Sequence, residues 1–91
     1  MDFKEVYQSN HFKIIEVTLK FGETMPLHQA TSNAYVICRE GKAKLIFSDR
    51  AIIFEQGHSV FIPAKDPHKL EVLENFKASI VMEPEAKIDF L

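Results

Sequence analysis

One cysteine, Cys38, is too few for an internal disulfide, so the chain must hold together without a covalent staple, and a reducing compartment is expected. Charge of one sign is also lacking. Eleven basic residues face thirteen acidic ones, net −2, and they are scattered along the chain. A phosphate backbone would find no basic stripe, which excludes nucleic acid as a partner. No long apolar run is present either. The longest, Ala34 to Cys38, has five residues, against the roughly 20 that a membrane helix needs. The start, Met1 to Glu5, is charged where a secretion leader would be apolar. The expectation is a cytoplasmic protein with no membrane partner. Helical spacing is equally scarce. Only the tail from Glu83 to Leu91 approaches it, and that segment is too short to stand alone, so it is expected to lie along the body. No linker or repeat divides the 91 residues, so 1–91 is expected to be a single domain.

What is present is apolar mass arranged with a period of two. The chain is 46% hydrophobic and 26% charged, enough for a core. Lys42 to Phe47, Lys69 to Val72 and Phe76 to Ile80 alternate apolar with polar, as half-buried strands do. Phe12 and Ile14 alternate on one parity, and Ile15, Val17, Leu19 and Phe21 on the other. That slip predicts a bulge inside the strand. Turn signals fall at Phe21-Gly22-Glu23, Glu40-Gly41-Lys42, Ser48-Asp49-Arg50, Gln56-Gly57-His58, Ala64 to Pro67 and Glu74-Asn75. The pattern predicts an all-β sandwich or small barrel.

Two segments carry a resemblance. Gly22, His28 and Gly41 frame a first motif over 22–41, and Gly57, Pro63 and His68 frame a second over 57–72. Their spacings resemble the two conserved-barrel motifs of the cupin family, G-x(5)-H-x-H-x(3,4)-E-x(6)-G and G-x(5)-P-x(4)-H-x(3)-N. The resemblance covers about two-thirds of the chain. It implies a jelly-roll β-barrel with the motif histidines facing inward. Such proteins usually hold a metal through two histidines and a glutamate of the first motif and the histidine of the second. Here the second histidine is Ala30 and the glutamate position is Ala34, or Tyr35 on the longer spacing. The final asparagine is Val72. Only His28 and His68 remain.

Catalytic transition metals need at least three protein ligands. No cofactor is therefore expected, and a divalent metal, if bound, would rest on His28 and His68 alone. Cys38 shares the parity of Ala34 but lies roughly 13 Å further along an extended strand. It reads as a small buried hydrophobe. Asn33 falls on the wrong face, and His11 and His58 read as surface and turn residues. His28, Ala30, Ala34 and His68 are the expected lining of a pocket, with the imidazoles as neutral-to-cationic donors titrating near pH 6.5. Two alanines in place of polar ligands favour a small organic ligand with some apolar surface.

Three functions follow in order: a binding protein for such a ligand; an enzyme, either a metal-dependent oxygenase or isomerase or a histidine acid–base catalyst; and a sensor or oligomerisation module acting with a separate partner. Tyr35 and Ile37 fall on the outer face, where a partner copy or the N-terminal strand must cover them. A homodimer is expected.

Overall fold

The computed structural model describes residues 1–91, folded into eight strands and no helix. They are β1 (Asp2–Gln8), β2 (Lys13–Leu19), β3 (Thr24–Ala30), β4 (Ala34–Phe47), β5 (Ala51–Glu55), β6 (Ser59–Ile62), β7 (His68–Met82) and β8 (Ile88–Phe90). Every pairing is antiparallel. With no helix at all, none is long and apolar enough to cross a membrane.

Two long strands form the spine. β4 and β7 run beside each other from Ala34↔Met82 to Phe47↔His68. Each half of this ribbon acquires its own neighbours. β6 joins the first half of β4, while β2 and then β1 extend the second half of β7. At the other end β5 joins β4, while β3 and then β8 extend β7. The result is two five-stranded halves sharing a bent ribbon. Their apolar faces meet over Val17, Leu19, Met25, Leu45, Phe54, Leu70 and Phe76, all buried. The Phe54 and Phe76 rings lie 6.1 Å apart between β5 and β7. This is the all-β, cupin-type jelly-roll barrel that the motif frame implies.

The bend explains two expectations that the structure corrects. Glu40-Gly41-Lys42 and Glu74-Asn75 read as turns, yet the chain passes straight through both inside β4 and β7. The register shifts at Cys38/Glu40, Glu40/Lys42 and Lys42/Ala43, so turn residues here fold a ribbon rather than reverse a chain. Gly41 has φ +82°, and a Cβ on it would sit 1.9 Å from the Asn75 carbonyl oxygen. Only glycine allows both the positive φ and this approach.

The predicted bulge also moves. β2 pairs with β7 without a break from Lys13↔Met82 to Leu19↔Phe76. The extra residue is Val6 on β1, between Glu5↔Ile15 and Tyr7↔Ile14. Ile14 breaks parity because it is a half-buried residue of the outer face, while Ile15, Val17 and Leu19 point in. The tail forms β8 against His28 to Ala30 rather than a helix. Tyr35 and Ile37 remain 45% and 38% exposed, because β1 lies edge-on beside β2 and covers neither.

Candidate functional site

The site begins with a fault in β3. Met25 points into the barrel, and strict alternation would turn His28 outward. Pro26 lacks an amide N–H and cannot pair. The register against β7 shifts between Met25↔Leu70 and His28↔His68, which brings His28 back to the interior. The Leu27 carbonyl accepts instead from the Leu91 amide at 2.9 Å. His68 opens β7 directly after the Ala64–Pro67 turn, where Lys65 has φ +61° and its amide donates to the Ala30 carbonyl at 2.9 Å. Leu70 and Val72 follow His68 inward, and Lys69 and Glu71 alternate away from the core.

The two imidazoles meet edge to face with ring centroids 4.2 Å apart. His28 and His68 are 5% and 7% exposed. Each ring is held the same way: His28 Nδ1 lies 2.7 Å from the Pro26 carbonyl, and His68 Nδ1 lies 2.7 Å from the Asp66 carbonyl. A carbonyl oxygen can only accept, so each Nδ1 carries the proton. In the neutral ring Nε2 is then a lone pair. Burial pushes His28 down to about 4, against the opposing pull of the Pro26 carbonyl, and His68 adds a further small push. Burial lowers His68 as well, with Asp66 opposing it. These rings are therefore neutral acceptors at physiological pH. Of the neutral-to-cationic donors expected to titrate near 6.5, the neutral form is the one favoured, with Nε2 as an acceptor, because burial penalises the charged ring.

His28, Ala30, Ala34 and His68 all line one cavity of about 60 Å³, room for several waters at roughly 10–15 Å³ each. The rest of its wall is hydrocarbon and thioether, including Met25, Leu70, Met82 and Ile88. Neither Nε2 has a protein partner, and no buried side-chain nitrogen or oxygen goes unpaired. Both Nε2 atoms must therefore face the accessible space. Phe90 and Phe47 flank the histidines, each with its ring centroid 5.7 Å from one of them.

At the positions where the motif would place metal ligands, Ala30 and Ala34 pack with Met82 and Ala86, and Ile15, Ile80 and Ile88 close around them. Hydrocarbon walls that corner, and the two alanines also border the cavity. Two imidazoles this close could occupy adjacent positions on one ion, but no cluster of three histidine, cysteine or acidic side chains exists to complete a site. The residues present do not fit a catalytic divalent metal.

The other candidates fall elsewhere. Cys38 is a free thiol, 1% exposed, within the core, and burial pushes its pKa up. Asn33 is exposed, and its Oδ1 accepts from the Ala64 amide at 2.8 Å, which ties the turn before His68 to the β3–β4 loop. His11 and His58 are exposed in turns. Ser32, which the sequence did not flag, is 4% exposed and accepts from the Glu83 amide at 3.3 Å while donating to the Asn33 carbonyl at 2.9 Å. The sequence reading also missed the tail, where Ile88 lines the cavity and Phe90 flanks His28. Their alternation with Asp89 was the available signal.

Residues 15–82 match the family model described as the Cupin domain. No functionally curated protein matches the sequence. Among solved structures, an RmlC-like cupin protein from Desulfovibrio desulfuricans is 23% identical, with TM-score 0.78, covering 91% of this chain and 81% of that one. The polyketide cyclase RemF from Streptomyces resistomycificus is 17% identical, with TM-score 0.85, covering 98% of this chain and 69% of that one. The DMSP lyase DddQ from Ruegeria pomeroyi is 20% identical, with TM-score 0.83, covering 90% of this chain but 44% of that one.

Proposed function

The chain belongs to the cupin domain family, and from that membership we propose that it binds a small organic molecule inside the barrel, between His28 and His68. The observation that carries the reading is the pair of unpartnered Nε2 atoms facing an otherwise apolar cavity. Both Nε2 acceptors are accessible and free of protein partners, so a ligand can meet them with a hydrogen bond while its apolar body lies against the hydrocarbon walls. The cavity's size favours a small molecule. Lyase and cyclase neighbours share the fold, but general acid catalysis at neutral pH requires a group that is protonated there. Both histidines are pushed the other way, and no carboxylate lines the cavity. Binding without turnover is the stronger reading.

The test is native mass spectrometry of the freshly purified chain, followed by a methyl-NMR titration with small organic fragments. Bound mass, or shifts concentrated on Ala30, Ala34, Leu70 and Met82, is the expected result. Shifts confined to surface methyls, with no retained mass, would overturn the proposal.

We also propose that a second copy of the chain covers the outer face. Tyr7, Ile14, Val81, Tyr35 and Phe61 are register neighbours across β1, β2, β7, β4 and β6, forming one apolar row. Tyr7, Tyr35 and Phe61 are about half exposed, and Phe12 stacks obliquely on Tyr7 at 5.5 Å. Four half-exposed rings offer about 400 Å², roughly half of what one partner in a stable interface buries. Ile14 and Val81 add to that area within the row, and Ile37, 38% exposed, lies on the same face of β4. Lys4, Glu16 and Arg39 supply a rim of both signs, which can pair with its own copy around a two-fold axis.

A further inference from the structure

We infer that the cavity selects neutral hydrogen-bond donors, such as an alcohol, a phenol or a ring N–H, and rejects carboxylates and other anions. The inference rests on the binding reading above and adds the polarity of the ligand. The geometry that fixes it is the pair of Nδ1 contacts at 2.7 Å to the Pro26 and Asp66 carbonyls. Both ring protons are committed to backbone oxygens that cannot return them, so what each histidine presents to the cavity is a lone pair. Burial reinforces this by holding both rings neutral.

No other polar side chain lines the cavity, so there is no donor to receive a carboxylate or phosphate oxygen. An anion would bring lone pairs to lone pairs in a desolvated space and forfeit its own hydration. A cation would lose hydration as well, with no acidic side chain to compensate. A neutral donor with a small apolar body loses least and gains a hydrogen bond to Nε2. The centroid separation of 4.2 Å sets the two imidazoles side by side in the cavity wall.

The test uses matched probes on the intact chain. Pyrrole and furan share a ring shape, but only pyrrole carries an N–H; phenol and benzoate share a ring but differ in charge. Binding is followed by long-range proton–nitrogen NMR of the histidine rings, which reports Nδ1 and Nε2 separately. The expected result is that pyrrole binds about tenfold more tightly than furan, phenol binds, benzoate does not, and the Nε2 resonances move most. In His28→Phe with His68→Phe, which keeps aromatic bulk but removes both acceptors, the preference for pyrrole should vanish while furan binding persists. If that variant does not fold, the wild-type nitrogen shifts decide the matter alone. Equal binding of pyrrole and furan, or tighter binding of benzoate than phenol, would overturn the donor rule and leave the cavity as a binding site. Failure of every probe to enter would overturn both readings.

Discussion

At His28 two forces oppose each other. The Pro26 carbonyl favours the charged ring, and burial disfavours it; burial wins and leaves the imidazole at about 4. The consequence for stability has a definite sign. Between about pH 6.5, where an unfolded histidine takes up its proton, and about pH 4, the unfolded chain binds a proton that folded His28 refuses. Stability therefore rises with pH across that window and is lost as pH falls through it. His68 acts in the same direction. Melting temperature measured from pH 7 to pH 4.5 should drop in the wild type, and the drop should be smaller in His28→Gln. A flat wild-type profile would mean that the rings are hydrated in the folded state.

At the level of the strand, small residues decide where the sheet can bend and what the corner can hold. Gly41→Ala would place a methyl against the Asn75 carbonyl while forcing alanine to φ +82°. Gly57→Ala has a similar φ, +90°, but open space around it. The left-handed conformation alone costs roughly 1–2 kcal/mol, and the clash adds to it. Urea denaturation should show Gly41→Ala losing at least about 1 kcal/mol more than Gly57→Ala. Equal losses would mean that the ribbon relaxes at the bend.

The same logic applies to restoring the motif with Ala30→His and Ala34→Glu. Both alanines are buried against Met82, Ala86 and Ile88 and border a cavity of only about 60 Å³, so two larger side chains together crowd the corner, and overpacking of this kind costs about 1–3 kcal/mol. Calorimetric titration with nickel or zinc should show little gain in the double variant and a clear gain once Met82→Ala opens room. Tight binding in the double variant alone would show that the corner is softer than its packing implies.

For the whole molecule, the open question is what the outer row of rings does in solution. Sedimentation velocity should find a dimer of the 10.5 kDa chain, and Tyr35→Lys with Phe61→Lys should return it to monomer without changing its melting behaviour in dilute solution. A monomeric wild type at every concentration would overturn the pairing proposal. Because β4 and β7 belong to both halves of the barrel, neither half can keep its core without the other.

Much of this was legible in the residues. Alternation in Lys42 to Phe47 and Phe76 to Ile80 declared strands because side-chain parity is a local property of extended backbone. The spacing of Gly22, His28, Gly41, Gly57, Pro63 and His68 declared the frame because those residues meet fixed backbone demands. The inward direction of His28 was reached from the motif, although parity counted from Met25 gives the opposite answer. It takes the non-pairing Pro26 to reconcile the two. Tertiary structure alone decided the rest. Whether Gly41 and Asn75 reverse the chain or bend it depends on two strands passing each other some thirty residues apart in sequence. Whether the histidines are donors or acceptors depends on which carbonyls lie beside Nδ1 and how much water is excluded. How much of the alanine corner stays open depends on a tail that returns to wall it. Each is a matter of proximity between distant segments, which a linear pattern does not carry.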